Sequence, residues 1–166
     1  MKRLWAAWRM KYITHAEKES GCIFCTALTR RDDDQNLVVR RGERAFIILN
    51  KYPYTSGHLM VAPKAHQPSL ELLEPEERAE MMELVSECIT ALRQIYQPHG
   101  FNVGINIGAA AGAGVPGHVH IHVVPRWNGD TNFMSTVGEV RVLPETLEQT
   151  YRRVREVLNP DGNYLP

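Results

Sequence analysis

Two stretches in the second half of the sequence alternate between apolar and polar or small residues, which is the pattern of a β-strand with two different faces. In residues 101–107 (FNVGINI) every odd position is apolar, and the even positions carry Asn102, Gly104 and Asn106. In residues 118–123 (HVHIHV) valine and isoleucine occupy the odd positions and histidines the even ones. We therefore expect two strands whose odd residues enter the core and whose even residues form one polar face.

The other periodicities predict a small α+β domain built on an antiparallel sheet. Apolar, β-branched runs between turn residues indicate three further strands, the first two joined as a hairpin: 37–41, 45–49 and 57–62. Apolar residues at three- and four-residue steps indicate one long helix from Pro75 to about Tyr96, and a C-terminal amphipathic helix over 143–158.

Length and charge narrow the possible classes of function. The 166 residues suffice for one domain with its own core, and 19 Lys+Arg balance 19 Asp+Glu, so binding to a nucleic acid polymer is not expected. No apolar run approaches the roughly 18 residues of a membrane span, and we expect a cytoplasmic protein. Near the N-terminus, Trp5 and Trp8 either lie on a membrane surface or pack against the domain or a partner chain.

A long glycine-rich connection joins the two alternating strands. Residues 108–117 (GAAAGAGVPG) exceed the roughly two to five residues that a hairpin loop needs. Glycines and small side chains leave backbone N–H groups open to an anion. The histidines, the asparagines and this loop together predict a concave polar site on one face of the sheet.

The histidines and cysteines each allow more than one interpretation. Three histidines at alternate positions can be solvated side chains of an outer sheet face, zinc ligands or catalytic groups. Cys22 and Cys25 form a Cys-x-x-Cys pair, which in a reducing compartment is typical of a metal site or a redox-active dithiol. Cys88 falls on the apolar stripe of the long helix and is expected in the core. His15 and His99 are expected at the surface.

One known family combines these features. The stretch 118–124 (HVHIHVV) resembles the His-x-His-x-His-x-x signature of the histidine triad (HIT) family of nucleotide hydrolases and transferases. The resemblance covers about residues 20–127 and includes these upstream residues: Asn50, Gly57, His58, residues 63–66 (PKAH) and Asn106. The flanks at 4–13 and 125–133 resemble the bacterial branch that is similar to diadenosine tetraphosphate phosphorylases. The resemblance implies a single HIT domain over 1–166 that forms a homodimer.

The resemblance also implies nucleophilic catalysis at phosphorus. His120 would attack the α-phosphate of a nucleotide, so that a nucleotidyl-histidine forms and the rest of the substrate departs. The backbone carbonyl of His118 would orient the His120 ring, His122 would contact phosphate oxygens or the transferred proton, and His58 would complete the catalytic cluster. The expected substrate is a nucleoside polyphosphate, such as diadenosine tetraphosphate, or a nucleoside phosphoramidate. A nucleotide-binding interaction module with little turnover is the alternative.

The same resemblance implies which residues bind the rest of the nucleotide. Asn50 would hydrogen-bond the ribose, and Asn106, Gly112 and Gly114 would hold phosphate oxygens. Many relatives carry Gln or Ser where this chain has Gly114, so that only the backbone can donate there. Trp127, in the loop that follows the triad, would stack on a second base or close over the site.

Zinc is the cofactor that the resemblance implies. Zinc-bearing members of the family hold the metal with residues that correspond to Cys22, Cys25, His66 and His118, and two thiolates with two imidazoles suit tetrahedral zinc. Four protein ligands leave no open position for water, so the metal would be structural. The competing metal hypothesis places one catalytic zinc on the three triad histidines.

Overall fold

The computed structural model describes residues 21–131 and 143–160, and within them five antiparallel strands form one sheet in the order β1-β2-β3-β5-β4. The strands are β1 (Val38–Arg41), β2 (Ala45–Leu49), β3 (Leu59–Pro63), β4 (Gly100–Ile105) and β5 (Ile121–Arg126). The helices are α1 (Ile23–Arg30), α2 (Asp33–Asn36), α3 (Pro75–Tyr96) and α4 (Leu147–Leu158), with 3₁₀ turns at Leu70–Leu72 and Ala109–Ala111. The predicted α+β class, antiparallel sheet, long helix and C-terminal helix are confirmed.

Helices cover both faces of this sheet. On one face, α3 and α4 enclose the larger core, which contains Val119, Ile121 and Val123 as well as Cys88. On the other face, α1 places Phe24 in a second buried cluster with side chains of β1, β2 and β3. The odd residues of the histidine segment therefore enter the core, as predicted, and its even residues lie on the face of α1.

Hydrogen bonds to a carboxylate of α3 hold the turn between β1 and β2 against that helix. Glu80 accepts hydrogen bonds from the backbone N–H groups of Glu43 and Arg44, each at 2.7 Å. Gly42 begins the same turn, and a Cβ atom there would lie 2.1 Å from a Glu80 oxygen. A side chain at this position would therefore displace the Glu80 carboxylate from the turn.

The histidine segment is a strand only in its second half. β5 begins at Ile121, not at His118 as predicted, and it continues to Arg126. The backbone before Ile121 bonds outside the sheet: the N–H of Val119 donates to the carbonyl of Gln67 at 2.7 Å. The alternation of apolar and polar residues cannot reveal this difference. It reports the direction of the side chains and not the hydrogen-bond partners of the backbone.

The outer strand β4 differs from the prediction in its burial. Phe101 and Ile105 pack against the core, whereas Val103 and Ile107 are 44% and 45% exposed, so the prediction that all odd residues of this stretch are buried is wrong. The reason is position: β4 is an edge strand that pairs with β5 alone, and α3 packs mainly on β2, β3 and β5.

Further element boundaries differ from those predicted, among them the starts of β3 and α4. β3 begins at Leu59 and not at residue 57, because Gly57 adopts a φ of +80° in the preceding turn. α4 begins at Leu147 and not at residue 143, because Thr146 and Gln149 form a reciprocal capping box that starts the helix there. The short helices α1 and α2 were not predicted.

Some N-terminal features fall outside the described part of the chain, namely Trp5, Trp8 and His15. None of the helices within residues 21–131 and 143–160 combines the length and the apolarity needed to cross a membrane.

Candidate active site and metal centre

Three imidazoles, those of His58, His120 and His122, meet on the α1 face of the sheet. Met60 of β3 pairs with His122 of β5, and this register brings His58, just before β3, beside His122. His58 Nε2 lies 3.0 Å from His122 Nδ1, and the ring centroids of His120 and His122 are 4.8 Å apart. The fold thus joins residues 64 positions apart in sequence.

The ring of His120 is oriented by backbone of the same segment. Its Nδ1 lies 2.9 Å from the carbonyl oxygen of His118, and only an N–H can bond that oxygen. The Nδ1 atom therefore carries the proton, and the lone pair of the neutral ring is on Nε2. Burial lowers the pKa of His120, which keeps the ring neutral at physiological pH. A neutral imidazole with an oriented lone pair can act as a nucleophile.

Hydrogen bonds also assign the protons of His58 and His122. The backbone N–H of Tyr54 donates to His58 Nδ1 at 3.1 Å, so the proton of neutral His58 is on Nε2. That Nε2–H donates to His122 Nδ1, and the proton of neutral His122 is consequently on its own Nε2. His58 is fully buried, and its Nε2 contacts His122.

An aromatic side chain from α1 covers the ring of His120. The ring centroid of Phe24 lies 4.8 Å from that of His120 and 5.0 Å from that of His118. Phe24 is itself fully buried and meets Phe46 of β2 edge-on at 6.3 Å. It lies between the two cysteines in sequence, but no periodicity marks it, and it was not predicted to be part of the site.

The four predicted metal ligands form a second cluster beside the imidazoles. Cys22, Cys25, His66 and His118 each offer one ligand atom, and these atoms lie within 4.8 Å of one another. His118 Nδ1 is 3.3 Å from the sulfur of Cys22 and 3.7 Å from that of Cys25, and His66 Nδ1 is 3.2 Å from the sulfur of Cys25. Cys22 is the N-cap of α1 and Cys25 lies in its first turn, so this helix holds both thiols.

The three nitrogen–sulfur distances are close to those around a tetrahedral metal ion. Metal–sulfur bonds of about 2.3 Å and metal–nitrogen bonds of about 2.0–2.1 Å place tetrahedral ligand atoms roughly 3.3–3.8 Å apart. His118 Nε2 donates to the carbonyl of Pro63 at 2.8 Å, so the Nδ1 lone pair faces the thiols. Burial and the neighbouring Cys22 thiol raise the pKa of Cys25, an effect that a bound cation reverses. The donor set therefore fits zinc.

The three triad histidines do not converge on one metal position. His118 Nδ1 faces the thiols, whereas His122 Nδ1 faces His58, and His120 Nδ1 bonds a carbonyl oxygen. This divergence argues against the hypothesis of a single catalytic zinc held by the triad.

Open space adjoins His122, and two hydrogen-bond donors follow β4 in the sequence. Gly104 of β4 pairs with His122, and a Cβ atom at Gly104 would meet nothing within 4 Å. The side-chain amide of Asn106 has no hydrogen-bond partner within residues 21–131 and 143–160. In the glycine-rich loop, the N–H of Gly112 already donates to Ala109 at 2.9 Å, whereas that of Gly114 has no acceptor in the described part of the chain. An anion could therefore approach Asn106 and Gly114 more readily than Gly112.

The two remaining predicted binding residues lie in different surroundings. Asn50 lies beside His58: its Oδ1 accepts the N–H of Tyr52 at 2.9 Å, and its Nδ2 is 3.4 Å from the His58 ring nitrogens. Trp127 packs its ring edge-on against Tyr96 of α3, with centroids 6.4 Å apart.

Comparison with known proteins agrees with this geometry. Residues 31–129, more than half of the sequence, match the family profile of the HIT domain. The chain belongs to the HIT family. This HIT protein is 40% identical over 159 residues to an AP-4-A phosphorylase of Mycobacterium tuberculosis (strain H37Rv), with 92% of the chain and 82% of that relative covered. It is therefore an enzyme of the nucleotide hydrolase or phosphorylase type.

Two further relatives match the HIT protein in sequence or structure. Adenylylsulfatase HINT3 of Arabidopsis thaliana is 33% identical over 112 residues, which cover 68% of the chain and 55% of that protein. The crystal structure of a zinc-bound histidine triad family protein from Mycobacterium smegmatis has a TM-score of 0.68 and 32% identity, with 84% of the chain and 94% of that structure covered.

Proposed function

We propose that this HIT protein transfers a nucleotidyl group through His120. The observation that carries the proposal is the 2.9 Å hydrogen bond from His120 Nδ1 to the carbonyl oxygen of His118, which leaves the Nε2 lone pair for attack. A bond forms between Nε2 and the α-phosphorus of the substrate, and the bond from that phosphorus to its bridging atom breaks. The leaving group departs with the electron pair, and water or inorganic phosphate then displaces His120 from the phosphorus.

The substrate class that we propose is a nucleoside polyphosphate of the diadenosine tetraphosphate type, with a nucleoside phosphoramidate as the alternative. The similarity to a protein named AP-4-A phosphorylase supports the polyphosphate. Attack on the terminal adenylyl group would release ATP, and the adenylyl group on His120 would then become ADP with phosphate or AMP with water.

Donors around the histidines are proposed to stabilise the charge on the phosphoryl oxygens. We propose three such donors: the Nε2–H of His122, the side-chain amide of Asn106 and the backbone N–H of Gly114. Such groups act where charge develops in the transition state, and each typically contributes about a hundred- to a thousandfold in rate. Asn50, beside His58 at the end of β2, is proposed to bind the ribose.

We also propose that the cluster of Cys22, Cys25, His66 and His118 holds a structural zinc ion. Its role would be to tie the N-terminus of α1 to the segments before β5 and after β3, and no reaction step passes through it. The zinc-bound relative from Mycobacterium smegmatis supports a metal in this family.

The chain is further proposed to act as a single HIT domain over 1–166 and to form a homodimer. The outer edge of β4 carries backbone groups without a strand partner in the described residues; Val103 in this strand and Ile107 just after it are exposed. Edges of this kind pair readily with another copy. Molar mass measured by light scattering at micromolar concentration tests the proposal.

The decisive experiment is single-turnover incubation with a nucleotide labelled on its α-phosphate. We expect label on the protein in a rapid acid-free quench, and no label on His120→Ala, which should still bind nucleotide. A wild-type protein that binds nucleotide but never carries label would instead be an interaction module. Products of diadenosine tetraphosphate, analysed with and without inorganic phosphate, identify the acceptor: ADP plus ATP for phosphate, AMP plus ATP for water.

A further inference from the structure

Tyr54 is the residue that contacts both members of the His58–His122 pair. It lies in the turn between β2 and β3, and its side chain is half-buried. Its backbone N–H donates to His58 Nδ1 at 3.1 Å. Its ring centroid is 4.6 Å from that of His58, and it stacks over His122 at 6.2 Å with an interplanar angle of 25°. No motif in the sequence singles out this residue.

The backbone N–H of Tyr54 determines where the protons of both rings are. A His58 ring protonated on Nδ1 would place two donors against each other at 3.1 Å, so that tautomer is disfavoured. If the proton of His58 is on Nε2, a neutral His122 protonated on Nδ1 would place its own N–H donor 3.0 Å from that of His58. This tautomer of His122 is therefore disfavoured as well. One backbone group therefore selects one tautomer for each ring, and His122 keeps its proton on Nε2.

The ring of Tyr54 keeps this hydrogen-bonded pair in place. His58 is fully buried, and the Tyr54 ring packs against both imidazoles. A ring in this position restricts rotation of His122 and excludes water that would compete for the His58–His122 hydrogen bond. Hydrogen bonds that are shielded from water are stronger and better oriented than exposed ones.

We propose that Tyr54 is a positioning residue of this enzyme, which holds His122 with an Nε2–H directed away from His58 as a donor to the phosphoryl group. The role rests on the nucleotidyl transfer proposed above, because the donor matters only when charge develops on phosphate. Tyr54 acts through His58 and His122 and does not itself contact the substrate. Its loss should therefore lower kcat and leave KM nearly unchanged.

The first test needs no substrate and so is independent of the proposed reaction. Long-range ¹H–¹⁵N spectra of protein with ¹⁵N-labelled histidine distinguish the two tautomers of each neutral ring. We expect both His58 and His122 to be protonated on Nε2 in the wild-type protein, with the assignments made from His58→Gln and His122→Gln. Protonation of either ring on Nδ1 would overturn the proposal even if nucleotidyl transfer is demonstrated.

The second test separates positioning from a general structural role. Tyr54→Ala keeps the backbone N–H but removes the ring, and we expect kcat to fall about tenfold or more with KM changed less than about twofold. Tyr54→Phe keeps ring and N–H and should restore most of kcat. In a His58→Ala background Tyr54→Ala should cause little further loss, because both act on the same donor. The role would be refuted if Tyr54→Ala kept the wild-type kcat. It would also be refuted if Tyr54→Phe lost as much kcat as Tyr54→Ala.

Discussion

Replacement of Phe24 by leucine should impair catalysis more than it impairs stability. The ring packs on both His118 and His120, and its removal frees His120, the proposed nucleophile, to move within a looser pocket. A displacement of about 1 Å can reduce a rate about a hundredfold, so we expect kcat of Phe24→Leu to fall at least about tenfold. KM should change little, because binding of the nucleotide depends on several other groups.

The stability change follows from burial. Phe24 is fully buried, and full truncation of such a ring to alanine costs about 3–5 kcal/mol. Leucine retains much of the volume, so about 1–2 kcal/mol is expected. For a domain of this size that lowers Tm by roughly 2–8 °C, which leaves the variant folded at assay temperature.

Phe46→Leu is the matched control. Phe46 lies in the same buried cluster, is also fully buried and meets Phe24 edge-on, but it makes no ring contact with a histidine in the described part of the chain. Both variants should therefore lose similar stability in thermal melts, whereas only Phe24→Leu should lose kcat. Metal content is measured on the same samples, because Phe24 lies between two ligands of the metal cluster. If Phe24→Leu and Phe46→Leu both retain their metal and lose the same fraction of kcat, then Phe24 contributes only to packing.

Three further changes test separate parts of the structure. Cys22→Ser should lower the Tm and the zinc content measured by elemental analysis, whereas Cys88→Ala should leave the zinc content unchanged. Full zinc retention in Cys22→Ser would contradict the ligand assignment. Glu80→Ala removes the acceptor of two turn N–H groups and should cost about 1–3 kcal/mol in chemical unfolding, against almost nothing for the exposed neighbour Glu83→Ala. Trp127→Ala should reduce kcat/KM equally for a dinucleoside polyphosphate and for a small adenylate, since the ring packs on Tyr96; a selective loss on the dinucleoside would indicate contact with its second base.

The sequence determined those features that depend on neighbouring residues. Alternation placed Val119, Ile121 and Val123 in the core, and three- and four-residue steps gave the long helix its limits from Pro75 to Tyr96. The motif spacing identified the histidines and cysteines as candidates, although their chemistry came from the family resemblance. These features are local because side-chain direction in a strand or helix follows from backbone geometry alone.

The tertiary structure decided which atoms face each other. The proton positions of the triad depend on backbone groups of His118, Pro63 and Tyr54, and the covering rings come from α1 and from the turn before β3. A periodicity of two shows which residues share a face, but it does not show what covers that face. Val103 is thus exposed at an edge while His120, on an equally alternating segment, is buried beneath Phe24. Contacts between residues tens of positions apart carry no local signal, and they set the tautomers on which the proposed chemistry depends.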